Sequence, residues 1–148
     1  MSRRIAIASD HAAFAMKAEL AIWLREAGHE VVDLGTNGPE SVDYPDYGFA
    51  LGKAVADGAA ELGVALCGSG IGISIAVNRV PGARCALVSE PLSASLARQH
   101  NDANVIALGA RLIGIEMAKA CINEFLNTEF LGERHQRRVD KLSKGATS

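Results

Sequence analysis

Cysteine is scarce in this chain and badly placed for cross-linking: Cys67, Cys85 and Cys121 are an odd number, lie far apart and form no Cys-x-x-Cys pair. A disulfide framework and a cysteine zinc site are thereby excluded, and a reducing compartment, the cytoplasm, is the expected location. An excess of one charge is also missing. Fifteen Lys and Arg stand against seventeen Asp and Glu, a net charge of −2, so no global field draws the chain to nucleic acid or to an anionic membrane. No stretch approaches the roughly 18 apolar residues of a membrane-spanning helix. The segment before Asp10 holds too few apolar side chains for the core of a signal peptide. No segment repeats, and no linker is rich in proline or serine.

What is present fits one domain over residues 1–148, because a chain of 148 residues is too short for two ordinary ones. With 49% hydrophobic and 22% charged residues it can build a core without disulfides or metal and is not a disordered chain. Short apolar runs alternate with helical patterns. The runs are Ile5-Ala-Ile-Ala8, Val31-Val-Asp-Leu34, Val64-Ala-Leu-Cys67, Cys85-Ala-Leu-Val88 and Val105-Ile-Ala-Leu108. None alternates polar with apolar residues, the pattern of parallel strands buried on both faces.

Between the first two runs, Ala13, Met16, Leu20, Leu24 and Ala27 recur at steps of three and four, a helical stripe that Gly28 closes. Further helices are expected over 46–57, Ile71–Asn78, 91–100, 112–125 and 133–144, with a frayed tail at 144–148. The expected architecture is a three-layer α/β/α sandwich around a five-stranded parallel sheet, Rossmann-like, with an extra C-terminal helix. The strand order is not readable from this pattern. The last helix carries five basic and two acidic residues, so it is +3 and the rest of the chain −5.

Ligands of open parallel sheets sit beyond the carboxyl ends of the strands, which directs attention to the loops. The sharpest is Cys67-Gly-Ser-Gly-Ile-Gly72, where three glycines allow backbone amides to converge at the positive end of the following helix, a setting for a phosphate or oxyanion. The same glycines would also serve a plain tight turn. No Gly-Lys-Ser/Thr follows, and the loop after the first strand has no glycine, so nucleotide and dinucleotide binding are disfavoured.

Cys67, at the mouth of this loop, stands where the helix dipole and amides favour a thiolate, although a strand-end cysteine is also an ordinary core residue. Cys85 and Cys121, which border no polar loop in the sequence, are read as core. Asp10 and His11 follow the first strand, and Asp10 could simply cap a helix. His100 ends a helix, while His29 and His135 read as solvated. Together the loop residues are expected at one edge of the sheet. Arg134 and Arg138, one helical turn apart, could clamp a phosphate; Arg137, Lys141 and Lys144 read as solvated.

These residues resemble a known family. Asp10-His11, Asp43-Tyr-Pro-Asp46, the run from Cys67 to Arg79, Arg98-Gln-His-Asn101, Asn104 to Arg111 and Arg134-His-Gln-Arg-Arg138 are similar, in order and spacing, to the type B ribose-5-phosphate isomerases and their sugar-phosphate isomerase relatives.

The resemblance implies an aldose–ketose isomerase without metal or cofactor. It would interconvert ribose 5-phosphate and ribulose 5-phosphate through an enediolate, as a homodimer or dimer of dimers with sites shared between subunits. Cys67 matches the base and His100 the group that helps open the sugar ring. Asp10, His11 and Tyr44 match ligand contacts, and Gly68, Ser69, Gly70, Ile71 and Gly72 match an anion hole. Asn101, Arg111, Arg134 and Arg138 match substrate and phosphate contacts. Ser69 stands where many members have threonine, and Ile73 where another branch has a glutamate base, which leaves Cys67 as the candidate base. Allose 6-phosphate, galactose 6-phosphate and erythrulose 4-phosphate are alternative substrates, and a non-catalytic phosphate-binding module of flavodoxin-like type is an alternative of another class.

Overall fold

The computed structural model describes residues 2–146. Five strands alternate with helices: β1 (Arg4–Ser9), α1 (Phe14–Glu26), β2 (Glu30–Asp33), α2 (Tyr44–Ala56), β3 (Leu62–Cys67), α3 (Ile71–Asn78), β4 (Cys85–Leu87), α4 (Pro91–Asn101), β5 (Val105–Gly109), α5 (Ile115–Asn127) and α6 (Arg134–Lys144). Of the tail expected to fray, residues 147 and 148 lie outside the described residues. No described helix is long and apolar enough to cross a membrane.

The local signals act where they stand. Gly28 ends α1 with a φ of +95°, a conformation that costs glycine little. The Glu90 carboxylate accepts from the Ser93 amide at 3.0 Å, and Pro91 opens α4. On α1 the stripe of Leu20, Ala21 and Leu24 is joined at the same face by Lys17, 1% exposed, whose ammonium lies 2.7 Å from Asp33 and 3.1 Å from Asn37. A buried lysine on a core-facing stripe was not expected. Its long stem packs as a hydrophobe while the Asp33 carboxylate from β2 compensates the charge.

All pairings are parallel, and the order is β2-β1-β3-β5-β4. The three inner strands are buried almost throughout, while the residues of β2 and β4 are only partly covered or exposed, so burial on both faces holds for three of the five expected strands. The edge position is the cause: β2 and β4 each have one neighbour. Large side chains of the inner strands (Ile5, Ile7, Val64, Leu66, Ile106 and Leu108) meet α1, α4 and α5 on one face. On the other face Ala6, Ala8, Ala65 and Ala107 leave room for α2 and α3 to lie close. The chain therefore leaves β1 toward one face for β2, and reaches β3 across the other. The switch point of the sheet lies between β1 and β3, where a ligand crevice is expected at the carboxyl ends.

Candidate active site

Three neighbouring strands deliver residues to that crevice. Asp10 and His11 follow β1, the glycine loop follows Cys67 at the end of β3, and Arg111 lies just past Gly109 of β5. Across them runs an open cleft of about 380 Å³ lined by Asp10, His11, Tyr44, Cys67, Gly68, Ser69, Gly72 and Arg111, together with Ala12 and Leu112, which sequence reasoning had not singled out.

Each side chain is held by local chemistry. Asp10, 7% exposed, accepts from the Ala12 amide at 3.0 Å, so it does cap the turn after β1 while facing the cleft. His11 accepts from the Val42 amide at 3.1 Å through Nδ1, which leaves the proton on Nε2 when the ring is neutral. Cys67, 5% exposed, takes the Gly70 amide on Sγ at 3.1 Å, and this fixes the direction of the thiol. The Ile71 amide goes to the Ser69 hydroxyl at 3.2 Å. Two of the amides expected to meet an anion are thus engaged by side chains of the loop itself.

Tyr44, at the start of α2, lies on the bare backbone of Gly72: a Cβ there would fall 2.7 Å from its ring. The Arg111 guanidinium passes over Gly68 in the same way, at 3.2 Å from where a Cβ would be, which sets a fixed positive charge beside the loop. Gly70 caps α3 in the left-handed region, with a φ of +79°, and Ile71 points away from the cleft into a recess with Leu87 and Leu112.

The back of the loop rests on Gly109, where a Cβ would stand 2.5 Å from the Ser69 carbonyl oxygen. Because the obstacle is backbone, Gly109→Ala should displace the loop and cost about 1–3 kcal/mol by overpacking. A lower urea midpoint together with lost activity checks this; an unchanged midpoint would mean that the loop moves freely.

The remaining candidates are elsewhere. α4 begins at the carboxyl edge of the sheet and its eleven residues climb away from it, a rise of about 16 Å. His100 and Asn101 therefore sit at the opposite, amino-terminal edge, where Asn104 bonds Gly63 at the beginning of β3. The expectation that Cys67 and His100 share one edge of one sheet is corrected: a helix that returns to start the next strand must end at the far edge. Asn101 lines a second cleft, of about 420 Å³, with Arg84, Cys85 and Leu142. Cys85 borders this cleft while packing, partly buried, against the core as its sequence reading expects, and burial pushes its thiol up to about 12. Burial, aided by the charge of Glu90, pushes Cys121 up to about 11.

Arg134 and Arg138 are both exposed on α6, and α6 packs against α4 through buried His135 and Val139. His135 overturns its reading as a solvated residue. It is 5% exposed and stacks on His100, with ring centroids 4.5 Å apart and planes within 15°. Burial first, then the charges of Arg134, His100 and Arg138, hold its imidazole below the ordinary histidine range. The only sequence signal was its spacing of four from Val139 on a helix otherwise mostly polar and charged. His29 is no free solvated ring either, since its Nδ1 accepts from the Arg3 amide at 3.1 Å.

The sequence matches the model of the Ribose/Galactose Isomerase family over residues 5–142. It is 45% identical over 141 residues to ribose-5-phosphate isomerase B of Escherichia coli, covering 95% of each chain. Among solved structures, ribose-5-phosphate isomerase B of Clostridium thermocellum superposes with a TM-score of 0.94 at 45% identity, covering 95% of both chains. The type B enzyme of Trypanosoma brucei superposes with a TM-score of 0.93 at 45% identity, covering 97% of this chain and 99% of that one.

Proposed function

This chain belongs to the ribose/galactose isomerase family, and from that premise we propose that it interconverts ribose 5-phosphate and ribulose 5-phosphate, as one isomerase domain whose working unit contains two copies of the chain. The observation that carries the reading is the single cleft formed by Asp10, His11, the Cys67 loop and Arg111 at three adjacent strand ends. In that cleft the Cys67 thiolate takes the proton from C2 of the open-chain aldose and the electron pair moves onto O1, which gives the enediolate. A proton then passes from the C2 hydroxyl to O1, the thiol returns its proton to C1, and a carbonyl forms at C2. Negative charge that develops on the oxygens meets the guanidinium of Arg111 and the amides of the glycine loop other than those of Gly70 and Ile71, which the Cys67 thiol and the Ser69 hydroxyl engage. In comparable oxyanion sites a donor of this kind is worth about 3–4 kcal/mol. Arg111 would also help to bind the substrate phosphate.

His100 and Asn101 stand at the far edge of the same subunit, so in this reading they serve the cleft of a neighbouring copy. His100 there moves a proton at the sugar's ring oxygen to open the ring, and Arg134 and Arg138 hold the phosphate. Apolar surface suited to a second copy lies beside the cleft: Ile71, Leu87 and Leu112, with 51%, 46% and 69% of their surface exposed, share one recess.

The reading is tested by mixing the purified protein with ribose 5-phosphate and following ketose formation. No turnover, or faster turnover of galactose 6-phosphate or allose 6-phosphate, would overturn it. Within it, Arg138→Ala should raise KM for ribose 5-phosphate by about 10- to 150-fold, the equivalent of about 1.5–3 kcal/mol for a charge-assisted contact. Arg137→Ala, on another face of α6, should change KM little. Equal effects would replace the clamp by a general basic field.

A further inference from the structure

We propose that His135 is the positioning residue for His100, its ring fixing the plane in which the His100 imidazole meets the sugar of the neighbouring copy. This rests on the isomerase reading above. Among the described residues no hydrogen bond holds the His100 side chain, although it ends a helix and is half-buried. The face-to-face stack with His135, at 4.5 Å and 15°, is what orients it.

The support under that ring is firm. His135 lies in the first turn of α6, Val139 one turn later is buried with it, and the lead-in to α6 is tied to the end of α4 by the Leu131 amide on the Gln99 carbonyl at 3.1 Å. The Nε2 atom of His135 is buried and has no hydrogen-bond partner among the described residues. The ring is therefore held by packing and not by a polar contact. A group that must transfer a proton within a narrow range of distance and angle depends on such support, because small misplacements cost large factors in rate. Arg134 and Arg138 leave successive turns of α6 on its exposed side, so one helix sets both the phosphate clamp and the plane of the ring-opening imidazole.

The test compares two reactions. Isomerisation of ribose 5-phosphate needs ring opening, whereas exchange of the C1 proton of ribulose 5-phosphate with deuterated water starts from an open chain and needs only the base. His135→Leu should lower kcat for isomerisation by about 10- to 100-fold, with little change in KM and little change in the exchange rate. His135→Phe, which restores a flat ring, should recover most of the loss. In proton NMR the His100 ring resonances should move on His135→Leu, as the ring current of the neighbour is lost, and return toward their native positions in His135→Phe.

Unmoved His100 resonances in His135→Leu would overturn the proposal. So would equal losses in isomerisation and exchange, or a rise in KM alone, which would make His135 part of the phosphate arm. Should His135→Leu fail to fold, His135→Met fills the same volume without a ring and carries the same comparison. If the wild-type protein does not turn over ribose 5-phosphate, the isomerase reading fails. The NMR arm still decides whether His135 holds the His100 ring.

Discussion

Cys67→Ala should abolish isomerisation, with less than about a hundredth of the wild-type turnover left, because the other proton acceptors of the cleft, Asp10 and His11, are turned to the Ala12 and Val42 amides and are not placed to give the proton back to the adjacent carbon. The fold should survive. Cys67 lies at the end of a strand, and its removal deletes one sulfur and leaves only a small cavity. Its one polar contact is the Gly70 amide, which can turn to the cleft when the sulfur is gone. The controls are Cys85→Ala and Cys121→Ala. With thiols pushed up to about 12 and about 11, neither supplies a thiolate near neutral pH, and both variants should keep activity. Circular dichroism and thermal melting separate lost chemistry from lost structure. Residual turnover above that threshold in a folded Cys67→Ala protein would reject the thiol as the base.

The second large effect is a recovery. Cys67→Ala and Arg138→Ala subunits should each be impaired alone, yet regain activity when mixed and allowed to exchange. The reason is the distance between the two halves of the site: Cys67 ends β3 at one edge of the sheet, and α6 packs on α4, whose C-terminal end is at the other. In a dimer with sites shared across the interface, a hybrid holds one site with both changes and one with neither. Random pairing gives hybrids in half of the dimers, so about a quarter of all sites should be intact. Activity near a quarter of wild type at subsaturating ribose 5-phosphate is expected. If exchange is demonstrated by mass spectrometry and no activity returns, the base and the phosphate clamp work within one chain.

Much of this protein could be read from local pattern. The run Val64 to Cys67 marks β3, the stripe through Leu20 and Leu24 marks α1, and Gly28 ends that helix where a left-handed residue is needed. The expected third helix, Ile71–Asn78, matches α3 end for end, because Gly70 fixes its start. The fifth begins at Ile115 and not at residue 112, since the amides of Leu112 and Ile113 both turn back to the Gly109 carbonyl and make a turn first. Apolar periodicity does not register such a turn. Lys17 escaped for a related reason: a charged residue on a core stripe is legible only when its counter-charge, Asp33 on another strand, is known.

Sequence alone determined the elements and their chemistry: which segments are strands, where the glycine loop opens, and which residues carry a thiol, an imidazole or a guanidinium. These depend on contacts within a few residues, and periodicity records such contacts. Tertiary structure decided the strand order, the edge to which each residue belongs and the company that His135 keeps. Those depend on which face each connecting helix packs against and on where that helix ends, contacts between segments far apart in the chain. So the sequence could name Cys67 and His100 together, but only the path of α4 across the sheet put them at opposite edges.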